Sequence, residues 1–150
     1  MKRIYLFAAS LAFGAPIVVA SAQSFGSGTA PPVSEVIVTA VQSSIGGAET
    51  TSGATSTRMH HGGSFVRITT LEKGIGQAVA TMNGAQLQEL RVTNVCTQAA
   101  GYWTPCRNGQ TVQGRLRVWD ATGKGNGSFV VRVTSVNWPR NTVTKTHSIQ

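Results

Sequence analysis

Acidic side chains are scarce in this chain. Only Glu35, Glu49, Glu72, Glu89 and Asp120 occur, and their scattered spacing pairs none of them for acid–base work. Histidine is rarer still, limited to His60, His61 and His147. Neighbours in an extended segment point to opposite sides, so His60 and His61 make a poor bidentate metal site, and neither metal nor cofactor is expected. Motif templates are missing too: there is no G-x-S-x-G, no H-E-x-x-H, no G-x-x-x-x-G-K-[ST] and no strand–GxGxxG–helix unit. Gly123-Lys124-Gly125-Asn126-Gly127-Ser128 resembles a phosphate loop only superficially, because it joins two strand-like runs and opens no helix whose N-terminus could receive an anion. Familiar hydrolase, metalloprotease and nucleotide-binding signatures are therefore absent.

A long apolar run occurs only at the start. Met1-Lys2-Arg3 is a positive n-region, Ile4 to Ala15 is apolar apart from Ser10 and Gly14, and Ala20-Ser21-Ala22 fits the A-x-A cleavage pattern before Gln23. Residues 1–22 read as a cleavable signal peptide. A spanning helix wants about 20 apolar residues, which Gly14-Ala15-Pro16 interrupts, and no second such stretch follows, so no stable membrane insertion is expected. Cleavage at Ala22/Gln23 implies a secreted or periplasmic protein. Losing Lys2 and Arg3 lowers the formal charge from +8 to +6, a basic but sparsely charged surface.

Cysteine is limited to Cys96 and Cys106. An even count in an oxidising compartment argues for a disulfide, with buried free thiols or half a metal site as the alternatives. The bridge would hold Tyr102-Trp103-Thr104-Pro105 as a rigid loop.

What is abundant is the β-branched residue in short runs between turn formers. Gln23 to Pro32 is a flexible Gly/Ser/Pro lead-in, and 33–150 reads as one domain. Its strand-like runs are Val33–Gln42, Phe65–Glu72, Gln77–Met82, Leu87–Val95, Val112–Ala121, Ser128–Asn137 and Thr142–Ile149, and Ser43–Thr57 reads as a long loop. The expected fold is all-β, an antiparallel β-sandwich or partly open barrel of about seven short strands. Asn83-Gly84 and Asn108-Gly109 suit tight hairpins. Ala85 to Leu90 allows one short helix.

Alternation assigns faces. Leu116 and Val118 share one face of their strand and Arg115, Arg117 and Trp119 the other; Phe129, Val131 and Val133 oppose Val130 and Arg132. Hydrophobicity then places the arginines outside. If Val112–Ala121 pairs with Ser128–Asn137 across the Gly-rich turn, Arg115, Arg117 and Arg132 gather on one outward face with Trp119. In His60-His61-Gly62-Gly63 one histidine is expected to hydrogen-bond backbone, and the glycines to permit a bend before Phe65.

The segments His61-Gly62-Gly63-Ser64-Phe65-Val66-Arg67-Ile68-Thr69-Thr70-Leu71-Glu72-Lys73-Gly74-Ile75-Gly76, Asn83-Gly84 and Gly114-Arg115-Leu116-Arg117-Val118-Trp119-Asp120 resemble the YolA-like family of small secreted bacterial proteins. His60 stands where that family often has Asp, and Ile75 where an aromatic is common. The resemblance spans about residues 33 to 137 and implies a secreted all-β domain of unassigned activity.

Three functions compete. The first is a non-enzymatic binder of an anionic polysaccharide, lipopolysaccharide, nucleic acid, glycan or protein partner, through Arg115, Arg117, Arg132 and Trp119 and the aromatic loop Tyr102-Trp103. The second is a small hydrolase or nuclease using His60, His61, His147, Asp120 and Arg67. The third is a secreted toxin or virulence factor. Convergence of His61, His147 and Asp120 in one pocket would favour the enzyme.

Overall fold

A computed structural model describes residues 30–99 and 101–150. The expected leader, 1–22, and residues 23–29 of the lead-in lie outside the described residues. Among the described residues ten strands form: β1 (Glu35–Ser43), β2 (Gly47–Thr50), β3 (Val66–Lys73), β4 (Gly76–Met82), β5 (Ala85–Gln86), β6 (Gln88–Thr97), β7 (Trp103–Pro105), β8 (Gly114–Asp120), β9 (Gly127–Ser135) and β10 (Thr142–Ile149). The fold is all-β, an antiparallel sandwich in which one sheet curls into a half-barrel. The larger sheet runs β2-β1-β3-β8-β6-β7 and the smaller β10-β9-β4-β5.

Alternation fills the space between the sheets. Val66 and Ile68 of β3, Ala80 and Met82 of β4, and Phe129, Val131 and Val133 of β9 all enter one buried cluster with Trp119. In β1 the inward valines are Val36, Val38 and Val41, and the three-residue step between the last two is absorbed by a bulge between Val38 and Ala40. An extra residue in one strand shifts the pleat by one, which is what keeps Val41 inside.

Three short strands escaped the sequence reading. β2 lies in the expected loop Ser43–Thr57 and pairs with β1, β7 pairs with the end of β6, and β5 pairs with β4. The Asn83-Gly84 hairpin forms, with φ of 52° and 81°. No helix occurs among the described residues, which corrects the reading of Ala85–Leu90. That segment is extended: Ala85–Gln86 belongs to the smaller sheet, Leu87 is buried, and from Gln88 the chain belongs to the larger one. Six helix-favouring residues are too few to nucleate a stable helix, and two sheets compete for their backbone. Leu87 is the pivot of a sheet switch that closes one flank of the sandwich.

The expected pairing of the Val112–Ala121 and Ser128–Asn137 runs does not form. β8 sits between β3 and β6, whereas β9 sits between β4 and β10. Residues 122–127 carry the chain between sheets instead of closing a hairpin, and three glycines of positive φ there, Gly123, Gly125 and Gly127, accommodate the turn.

Cys96 and Cys106 form a disulfide. It ties β6 to the segment after β7, where Trp103 folds against Gly114 so closely that a Cβ there would lie 2.9 Å from the indole. Serine at both cysteines is expected to lower the unfolding free energy by about 2.5–3 kcal/mol through restored freedom of the unfolded loop. Urea denaturation of wild type and the double variant measures it.

Candidate functional site

Six strands face four, so the inner face of β8 and β6 extends past the cover that β4 and β5 provide. A groove of about 450 Å³ opens there, within the roughly 300–1,000 Å³ of ordinary ligand pockets. Its walls are Gly76, Gln77 and Val79 of β4, the switch residues Gln86, Leu87, Gln88 and Glu89, and Arg115, Arg117 and Trp119 of β8. Thr70, Glu72 and Arg117 occupy inward positions and are buried, whereas Gln86, Gln88 and Glu89 at the sheet switch are exposed.

An ion cluster forms the floor. Register sets Glu72 of β3 directly opposite Arg115 of β8. One residue pair along the same face, Arg117 turns its Nε and Nη2 onto Glu72, donating to Oε2 and Oε1 at 3.1 Å each. Its Nη2 also donates to the Gly76 carbonyl at 2.8 Å, and its Nη1 to Glu89 Oε2. Arg117 is 6% exposed and Glu72 2%. Burial raises the Glu72 carboxyl above its ordinary value, against the pull of Arg117; burial also works to lower the Arg117 guanidinium, but the two carboxylates together raise it. A buried charge is tolerable only when its remaining donors and acceptors are met, and Arg117 meets that condition with two carboxylates and a carbonyl.

Arg115 differs. Its Nη1 donates to the Gly76 carbonyl at 3.1 Å, and its Nε is buried without a partner among the described residues. Burial, then the charge of Arg117, lowers its guanidinium.

The arginine face expected from the sequence is not assembled. Arg115, Arg117 and Trp119 do share a face, but it is the inner one, with Trp119 2% exposed and its Nε1 donating to Thr70 Oγ1 at 3.0 Å. Leu116 and Val118 take the outer face and are half-buried there. Arg132 is exposed on the other sheet, opposite Val79 and Thr144. Tyr102 is 71% exposed at the disulfide loop while Trp103 is half-buried on Gly114. The indole anchors β8 inward, and Glu72 supplies the counter-charge that lets Arg117 follow it.

The histidines divide as alternation requires: His60 is exposed and His61 buried. The sequence expects one of the two histidines to bond backbone, but the His61 ring binds side chains, with Nδ1 3.0 Å from Ser43 Oγ and Nε2 3.2 Å from Glu49 Oε2. An ionised carboxylate only accepts, so the network assigns the proton to Nε2, and Nδ1 accepts from Ser43. Ser43 Oγ in turn accepts the Gly46 amide at 2.9 Å. Glu49 also accepts the Met59 and Arg58 amides, which hold its carboxyl below the ordinary range. The chain Ser43–His61–Glu49 has the order of a nucleophile relay, yet Ser43 is 2% exposed and covered by Gly46. It clamps β2 and the 58–63 segment onto β1. Gly63, at φ 95°, makes the expected bend before Phe65.

Asp120 does not join the histidines. Its carboxylate caps the Thr122 amide at 2.9 Å, a hydrogen bond that with the Thr122 side chain lowers its carboxyl. The small pocket that His61 lines contains neither Asp120 nor His147.

His147 is fully buried opposite Phe129, with neither ring nitrogen hydrogen-bonded among the described residues. Burial, then Lys145, lowers its imidazole below the ordinary value. The unfolded state therefore binds the proton more readily, and stability present above about pH 6.5 is lost as pH falls below it. His147→Phe is expected to flatten the decline in melting temperature between about pH 7 and pH 5. An unchanged slope in thermal scans at stepped pH would rule out His147 as its source.

Three glutamines, the half-exposed Glu89 carboxylate and the two arginines line the groove beside Val79, Leu87 and Trp119. Sequence reading found Arg115, Arg117 and Trp119 but missed Glu72, Glu89, Gln77, Gln86 and Gln88 as companions. Glu72 had a signal: it continues the inward series Val66, Ile68, Thr70 at period two. The glutamines had none, because only the sheet switch brings β5–β6 to β8. No helix among the described residues is long and apolar enough to cross a membrane. A family model described as Domain of unknown function (DUF4879) matches residues 20–149. No curated protein and no solved structure matches the chain.

Proposed function

We propose, for a chain that belongs to the DUF4879 family, a role read from its own groove: an exported, non-enzymatic binding protein that receives a hydroxyl-rich glycan between its sheets. The observation that carries this is the polar overhang. Gln77, Gln86, Gln88 and Glu89 line an open groove of about 450 Å³ whose floor is already fixed by Arg117, Glu72 and the Gly76 carbonyl. Amide and carboxylate groups on a rigid frame match sugar hydroxyls, which both donate and accept. Rigid placement keeps the ordering cost of binding low.

Binding a long polyanion along one basic face finds less support, since Arg132 lies on the opposite sheet from Arg115 and Arg117. Export rests on the leader read at residues 1–22 and on the YolA-like resemblance, both expectations from sequence.

Backbone amide shifts followed during titration with neutral and acidic trisaccharides test the proposal. Saturable shifts at Gln77, Gln86, Gln88 and Glu89 support it. Absence of saturable shifts across the whole panel defeats it, and shifts confined to Tyr102 or Trp138 would move the ligand away from the groove.

A further inference from the structure

The segment that follows β2 runs along the end of β10, far from the groove in register. Ser52 to Thr55 are exposed, while Thr51 and Thr57, which flank them and Ser56, are 2% and 1% exposed. Thr51 is fixed to β1, its amide donating to the Thr39 carbonyl at 2.9 Å and its Oγ1 to the Val38 carbonyl at 3.0 Å. Beyond Thr57 the Arg58 and Met59 amides donate to the Glu49 carboxylate at 2.7 and 3.0 Å. Between these anchors one parallel bridge, Ser56 to Ser148, joins the segment to β10. Ser148 donates to the Thr55 carbonyl and Thr57 to the Ser148 carbonyl, both at 2.9 Å, and the Gln150 amide donates to Thr57 Oγ1 at 2.8 Å.

His147 directly precedes that bridge. Its ring is fully buried, and neither nitrogen has a hydrogen-bond partner among the described residues. A buried polar group without a partner is unfavourable, and such groups call for an explanation.

We infer that residues 52–57 form an acid-released strap: when His147 takes up a proton the strap lifts from β10, while Thr51 and the Glu49 carboxylate keep its two ends in place.

The surroundings of the ring favour opening over charging in place. Burial, then Lys145 on the same strand face, disfavours the protonated ring, and the weaker pull of the Ala54 backbone and of Glu49 does not offset them. β1 and β9 turn no titratable side chain inward there, since Glu35 and Arg132 are exposed. The remaining charged groups nearby, Arg58 and the His61 ring bonded to Glu49, belong to the far anchor. Imidazolium has two N–H donors to satisfy, and water becomes their acceptor once the strap is off. The closed ring stays neutral while the hydrated one titrates as an ordinary histidine, so opening gains up to about tenfold for each pH unit below about 6.5. The anchors do not share this dependence. Thr51 bonds to carbonyls, and the Met59 and Arg58 amides hold the Glu49 carboxyl below the ordinary range, so it stays ionised in mild acid. Lifting the strap breaks one bridge and its flanking bonds, which costs less than unfolding the sheets.

Amide hydrogen exchange on the full chain, corrected for the intrinsic effect of pH on exchange, tests this. Thr57 and Ser148 report the strap, Thr51 the anchor on β1, and Ala121, which donates to the Val66 carbonyl at 2.9 Å, the sandwich itself. The expected result in wild type is a loss of protection of about tenfold or more at Thr57 and Ser148 between about pH 7.5 and pH 5, with Thr51 and Ala121 changing by less than about threefold. In His147→Phe and His147→Leu the loss at Thr57 and Ser148 should shrink to the level of Ala121. The same loss in both variants as in wild type overturns the inference, because the proton then acts elsewhere. An equal loss at Ala121 in wild type also overturns it, since acid would be unfolding the sandwich as a whole. Constant or rising protection at Thr57 and Ser148 overturns it as well. Should both variants fail to fold, the contrast between the strap and Ala121 in wild type decides alone.

Discussion

Arg117→Met is expected to lower the unfolding free energy by about 3–5 kcal/mol, the range found when one partner of a buried ion pair is removed. The substitution keeps a long side chain and takes away the cation that answers both Glu72 and Glu89. Glu72 is the severe case. It is 2% exposed, burial already raises its carboxyl, and without Arg117 it must remain charged in an apolar setting or take up a proton at neutral pH. The Gly76 carbonyl also loses its 2.8 Å donor, leaving Arg115 to serve it alone. Guanidinium denaturation should show a lower midpoint with an unchanged slope, since the surface exposed on unfolding is the same. Adding Glu72→Gln to Arg117→Met should recover part of the loss, because a neutral amide replaces the stranded carboxylate. If the double variant is no more stable than Arg117→Met, the penalty does not come from Glu72.

That cluster shows where sequence reading succeeds and stops. Period-two alternation sorted β8 and β9 into their two faces correctly, because the pleat makes it a geometric certainty once a run is extended. Deciding which face is inside needed an energy comparison. In β9 the answer is immediate, with Phe129, Val131 and Val133 set against Val130 and Arg132. In β8 it is not, because Leu116 and Val118 oppose Trp119, Arg115 and Arg117. The arginines argue for an outer face unless a buried acid receives them. Glu72 stands 45 residues away in sequence, and nothing local joins the two strands.

Topology failed for a related reason. The run Thr122–Gly127 is as good a hairpin as Asn83-Gly84 by composition, but Asn83 closes a turn between β4 and β5 whereas 122–127 crosses from one sheet to the other. Local turn chemistry states that the chain reverses, not which sheet it enters. The groove depends on two such transfers, at Leu87 and at the β3–β4 connection, so Arg115, Arg117 and Trp119 were legible while their companions and the assembly were not.

The β3–β4 connection bears the second large effect. Gly74→Ala is expected to destabilise by about 4 kcal/mol, combining backbone strain of about 1–3 kcal/mol with a comparable overpacking penalty. Gly74 has φ of 98°, and a Cβ there would stand 2.2 Å from the Pro32 carbonyl oxygen and 2.7 Å from Val33 Cα. Those are backbone atoms and cannot swing aside. They are also pinned, because the Gly74 amide donates to Gln113, Ile75 to Pro31, and Val136 to Ile75. Three distant segments therefore converge on one turn, with no room for even a methyl group. Gly84→Ala is the control: φ is 81°, yet nothing lies within 4 Å of its Cβ position, so only strain of about 1 kcal/mol is expected there. The difference between the two variants in urea midpoint isolates the packing contribution. Equal losses would mean that the connection yields and that Pro32 is not fixed. The consequence also reaches the groove, since the Gly76 carbonyl that orients both Arg115 and Arg117 lies two residues beyond Gly74. A Gly74→Ala protein that remains folded should lose glycan binding along with stability, whereas Gly84→Ala, at the far end of β4, should keep it.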